Sequence, residues 1–158
     1  VVAVTCTVPP VVTSNLTYPN PQTAIEAQFS LHFAIAAIIE YGDIKLEHLT
    51  TEMVSSAPIK RLLPKIDVKV GDIPELYRSS RLICPEWGYV ELTTQAGDRK
   101  CSFAGSPLGS ALRPMSDEVL KKKFNACAKY GNVKGSAFAL YDKILNVELL
   151  TNTRELLS

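Results

Sequence analysis

The sequence predicts an α+β fold: a small sheet with a hairpin packed against a long buried helix, followed by two C-terminal helices. Three observations carry this. "VVAVTCT" and "KIDVKV" alternate and are rich in β-branched residues, as strands with one buried face require. "YVELTTQAGDRKCSF" holds two more alternating runs around a turn. "TAIEAQFSLHFAIAAIIEYG" runs from a capping signal to a glycine and is apolar over most of its length.

Taken in order, Val1 to Thr7 reads as a strand stopped by Pro9 and Pro10, which cannot donate to a ladder. A polar loop is expected from there to Gln22. Thr23 then opens a capping box: its hydroxyl accepts from the Glu26 amide, and the Glu26 carboxylate returns to the Thr23 amide. Nothing breaks the helix before Gly42, so about 17 residues are expected in one piece, or about 25 Å. Ile25, Gln28, His32, Ile35, Ala36 and Ile39 fall on one side, with Glu26, Ser30, Phe33 and Ala37 opposite. Both sides are largely apolar, which predicts a helix packed between two layers.

Leu46 to Met53 and Ala57 to Leu63 read as short helices, the second opened by Pro58 at a tolerated first-turn position. "KIDVKV" is the next strand, and Gly71 to Pro85 is expected to be irregular. Gly97 supplies the left-handed residue of the hairpin turn. After the connection "AGSPLGSALRP", Ser116 caps a helix with Asp117 and Glu118 in its first turn, and a last helix is expected from about Ser136 to Leu150.

Composition narrows the function classes. Seventeen basic against sixteen acidic residues give a net charge of +1, so the chain lacks the concentrated basic face that nucleic acid binding needs. Lys121-Lys122-Lys123 reads as a solvated helix face. No segment has the length and apolarity of a membrane span. Cys6, Cys84, Cys101 and Cys127 are scattered without a CxxC pair, which reads as reduced thiols of a cytosolic protein rather than a zinc site or a disulfide framework. The chain opens in mid-strand without a methionine, which suggests a piece of something longer.

Local motifs for chemistry are few. There is no phosphate-binding glycine pattern, no HExxH and no nucleophile elbow, and the two histidines with scattered acids build no metal site. His32 has two readings: a core histidine satisfied by a neighbouring carbonyl, or a proton-transfer group if its face lines a cleft, with Gln28 a turn away as a substrate contact. His48, beside Glu47 in a polar stretch, is expected at the surface.

Pro21, Glu26, Ala27, Phe29 and Ser30 stand ahead of the long apolar segment, and Gly109, Pro114, Ser116, Asp117, Glu118, Leu120, Lys123 and Phe124 follow the hairpin. In this order the two groups resemble the carboxyl-terminal part of the MmgE/PrpD family, which includes 2-methylcitrate dehydratases, cis-aconitate decarboxylases and iminodisuccinate epimerases. The resemblance implies a lid-like α/β domain over residues 1–115 and, over 116–158, helices that return to a large helical domain absent from this chain. It implies lyase or epimerase chemistry on a small di- or tricarboxylate, by proton abstraction next to a carboxylate, without a metal or organic cofactor. Expected partners are the polycarboxylate substrate, the helical catalytic domain or subunit, and a second copy of the chain in a homo-oligomer; neither nucleic acid nor membrane is expected. The decarboxylase pattern has a histidine where this chain has Phe29, so dehydration or epimerisation is the better match. His32 is the candidate catalytic residue, with Gln28 and Arg113 as candidate substrate contacts. The other reading is a stand-alone lid-like module that has lost catalysis and serves binding or assembly.

Overall fold

The computed structural model describes residues 1–80 and 83–157, which form two compact units, Val1–Arg113 and Pro114–Ser158. Arg81 and Leu82, within the segment expected to be irregular, lie outside the described residues.

The first unit is α+β. Strand β1 (Ala3–Val8) leads into helix α1 (Pro10–Asn15), then α2 (Ala24–Gln28), α3 (Leu31–Tyr41), α4 (Thr51–Val54), α5 (Ala57–Leu62) and strand β2 (Ile66–Val70). The hairpin β3 (Gly88–Thr93) and β4 (Arg99–Ala104) completes a four-stranded mixed sheet in the order β2-β1-β3-β4. β1 runs parallel to β2 and antiparallel to β3, so the whole α1–α5 segment serves as the crossover that a parallel pair needs.

The register explains the core. Val4 lies between Ile66 and Leu92, Cys6 between Val68 and Val90, and Val8 beside Val70. Val4, Cys6 and Val8 are buried, and with Ile66 they meet Phe33, Ala36 and Ala37 of α3 and Ile59, Leu62 and Leu63 at the end of the crossover. The alternate residues of the hairpin face the other way, where Tyr89 pairs with Phe103 and Tyr77 stacks on Phe103 with ring centroids 4.5 Å apart. Gly71 follows β2 because a Cβ there would come within 2.8 Å of the Thr7 Cγ2. Gly97 takes a φ of 87° in the hairpin turn, as its position predicts.

Several expectations need correction. The segment after Pro9 is not all loop: Pro10 occupies the first helical position of α1, where its missing N–H costs nothing. The long helix is not continuous. Ser30 is extended (φ −123°, ψ 108°) and its hydroxyl accepts from the Phe33 amide at 3.0 Å, so α3 starts afresh with its own cap. The break frees the Phe29 carbonyl, which accepts from the Tyr18 amide at 3.2 Å. At the first start, Thr23 caps Glu26 as expected, but the Glu26 carboxylate accepts from the Gln22 amide at 2.6 Å rather than from Thr23.

α3 packs against both the sheet and neighbouring helices, as expected, but is not covered all round. Phe33, Ala36 and Ala37 are fully buried against β2 and α5, while Ile38 and Tyr41 remain exposed within the unit. His48, expected at the surface, is buried; its ring lies 4.7 Å from that of Tyr41, and its Nδ1 accepts from the Lys45 amide at 3.2 Å. Gly42 ends α3 in the left-handed conformation, as predicted.

In the second unit, Ser116 caps α6 (Asp117–Tyr130) and Ser136 caps α7 (Ala137–Leu145). α7 stops five residues before the expected Leu150; the Asn146 Nδ2 donates to the Asp142 carbonyl at 2.8 Å and a single 3₁₀ turn, Val147–Leu149, follows. Phe124 meets the buried Tyr141 edge to face, with Lys121 5.5 Å from the same ring, and Lys122 pairs with Glu118 at 2.9 Å. No described helix is long and apolar enough to cross a membrane.

Phe33→Ala is expected to lower the unfolding free energy by about 3–5 kcal/mol, since a fully buried ring leaves a cavity. Ser30→Ala should cost about 1 kcal/mol through the lost cap, and Ile38→Ala under about 1 kcal/mol. Urea denaturation checks all three; equal costs for Phe33 and Ile38 would contradict the packing of α3.

Candidate functional site

The break at Ser30 decides where His32 points. It places His32 in the first turn of α3 rather than in the middle of a longer helix, and separates it from Gln28, the last residue of α2. His32 is half-buried and lines a cavity of about 380 Å³ with Pro19, Asn20, Lys60, Leu63, Pro64 and Ile66. Pro19 and Asn20 come from the loop ahead of α2, and Lys60, Leu63, Pro64 and Ile66 from the end of α5, the turn after it and the start of β2. That volume lies within the range of about 300–1,000 Å³ usual for small-molecule sites.

Burial lowers the His32 pKa from its ordinary 6.5, because desolvation penalises the imidazolium; the Asp67 carboxylate pulls the other way with a smaller effect. The neutral ring is the form that accepts a proton. Asp67 is itself answered by Lys69 at 3.0 Å, which limits the field it exerts on the histidine.

The three predicted site residues are not brought together. Gln28 is exposed and does not line the His32 cavity. Arg113 is exposed as well: its carbonyl accepts from the Gly109 amide at 2.7 Å and its amide donates to Ser110 at 3.0 Å, so its backbone closes the Gly109–Arg113 turn. Gly109 takes a φ of 94° there. The "GSPLG" segment is a loop, tied to the rest of the unit by the Cys84 amide donating to the Gly105 carbonyl at 2.7 Å.

A second cavity, of about 500 Å³, is lined by Pro9, Pro10, Gly71, Asp72, Ile73, Arg78 and Trp87. Its cation is occupied, since Arg78 pairs with Glu75 at 2.6 Å and Asp72 stands in the same wall. Cys6 offers no nucleophile, because burial pushes its thiol up to about 11. Among the described residues no group of three or more His, Cys, Asp or Glu is placed to hold a metal ion.

A family model described as the MmgE/PrpD C-terminal domain matches residues 1–146, nearly the whole chain. The chain belongs to the MmgE/PrpD family. No curated protein matches it at a significant level. In this MmgE/PrpD C-terminal domain, Lys60 and Asn20 are the polar neighbours of His32 that sequence reasoning missed. Lys60 is one of two basic residues ending a short helix, a pattern that only complements the helix dipole, and 28 positions separate it from His32. No periodicity links them.

Because the folded-state pKa of His32 lies below the unfolded value of 6.5, the unfolded chain binds that proton more readily. The contribution of His32 to stability is therefore fully present above pH 6.5 and is lost as pH falls through the folded-state value. His32→Gln should flatten this part of the stability curve below about pH 6.5. An NMR titration should give His32 a midpoint below 6.5, and a midpoint above it would contradict the burial of the ring.

Proposed function

We propose that the chain works as the C-terminal part of a lyase or isomerase that removes a proton next to a carboxylate of a small di- or tricarboxylate. The reaction class is a 2-methylcitrate dehydratase-like elimination or an epimerisation. Membership of the MmgE/PrpD family over residues 1–146 carries the reading. A neutral imidazole opening on a cavity supports it, since cofactor-free abstraction of such a proton needs a general base. Phe29, where a histidine would mark the decarboxylase branch, offers no proton-transfer group, which favours elimination or epimerisation.

In this reading His32 accepts the proton, while Gln28 and Arg113 contact substrate only when a further surface closes on them. The helical catalytic domain or subunit of the family supplies that surface and the remaining acid and cationic groups. Ile25, Phe29, Ile38 and Tyr41, large apolar side chains left exposed in the first unit, support such a covering partner or a homo-oligomer. The same exposed side chains are what an inactive assembly module would present. Free thiols at all four cysteines fit the reducing cytosol.

Native mass spectrometry of the protein from its own source, followed by assays with 2-methylcitrate, aconitate and iminodisuccinate, tests the proposal. A species heavier than 17.3 kDa that turns over one of these is the expected result, with His32→Gln lowering kcat by about a hundredfold. A lone chain or its homo-oligomer that turns over none of them would move the assignment to the assembly module.

A further inference from the structure

The two cavities of the first unit differ in electrostatic balance. The cavity beside Trp87 has one cation, Arg78, whose charge is met by Glu75 at 2.6 Å and whose Nε donates to the Ile73 carbonyl at 3.4 Å; Asp72 adds a negative charge to its wall. The His32 cavity has no acidic residue in its lining. Its cation is Lys60, exposed at the end of α5, which enters no ion pair or side-chain hydrogen bond among the described residues. The adjacent Arg61 is by contrast tied to Glu40 at 3.2 Å. Asp67, the acid whose field acts on His32, is paired with Lys69 at 3.0 Å.

The first turn of α3, where His32 stands, adds the positive end of the helix dipole. Asn20 adds a side-chain amide at the rim. The Asn20 main-chain carbonyl accepts from the Gln22 Nε2 at 3.1 Å, while its side-chain amide has donors to offer. The floor is apolar, from Pro19, Leu63, Pro64 and Ile66. A cavity with an unanswered cation, an amide donor, a neutral imidazole and an apolar floor has the character of a site for a small organic anion.

We infer that this cavity is a carboxylate subsite in which Lys60 holds one carboxylate of the ligand, assisted by Asn20, and so sets the adjoining carbon against His32. The inference deepens the proposed function and rests on it for the subsite's place in turnover; binding itself is independent of that reading. Lys60 is a positioning and binding residue, and His32 the group that faces the reacting carbon. A solvent-exposed lysine contributes a screened attraction, so its loss should weaken binding severalfold rather than abolish it.

The test is a titration of the chain with citrate, watched at the ring signals of its two histidines, with buried His48 as the internal reference because it does not line the cavity. Citrate should shift His32 and leave His48 unmoved. Lys60→Gln, with an otherwise unchanged spectrum, should weaken citrate binding by about fivefold, and Arg61→Gln should not. An unmoved His32, equal losses in the two variants, or equal affinity for inorganic phosphate would overturn the subsite. The kinetic counterpart is a raised KM with little change in kcat for Lys60→Gln, and turnover indifferent to Lys60 would likewise overturn the subsite while leaving the enzyme reading intact. Citrate binding that depends on Lys60, in a protein that turns over no polycarboxylate, would sustain the subsite and remove the enzyme reading.

Discussion

The central strand must be covered on one face, and most of the first unit follows from that. β1 pairs on both edges, so its backbone groups are satisfied within the sheet, but Val4, Cys6 and Val8 project from one face as a continuous apolar row. The rows extend sideways through Ile66 and Leu92, and through Val68 and Val90, making a surface that water cannot be allowed to reach. Phe33, Ala36 and Ala37 of α3 meet it, and the two alanines allow the helix to lie close. Because β1 and β2 are parallel, the chain has to cross over between them, and the crossover is what delivers α3 and α5 to the face that needs covering.

The site is a by-product of how that crossover begins and ends. A continuous helix from Thr23 would have joined Gln28 and His32 on one apolar side. Ser30 interrupts it, since an extended serine whose hydroxyl caps the Phe33 amide cannot also propagate the preceding helix. His32 is thereby carried to a helix start, beside the point where the chain leaves α5 for β2. Desolvation keeps its imidazole neutral, and the charge in its surroundings is supplied by Lys60 from the other end of the crossover. His32 and Lys60 stand on one cavity because the topology returns the chain there. The chain belongs to the MmgE/PrpD family, and the proposed proton abstraction would use both a proton acceptor and an anion holder.

Much of this was legible in the residues. Alternation and β-branching marked β1, β2, β3 and β4, because a strand with one buried face imposes a period of two on its sequence. Gly97 marked the hairpin turn and Gly42 the end of α3, because a positive φ excludes most side chains. Ser116 marked the start of α6 through its hydroxyl cap, and the ordered groups from Pro21 to Ser30 and from Gly109 to Phe124 marked the family. What the tertiary structure alone decided has one physical reason: it depends on contacts between residues far apart in the chain, which no local period records. The Ser30 break is favoured because the Tyr18 amide donates to the carbonyl it frees; His48 is buried because Tyr41 lies over it; and Lys60 lines the same cavity as His32 only because a parallel crossover must come back to the strand beside the one it left.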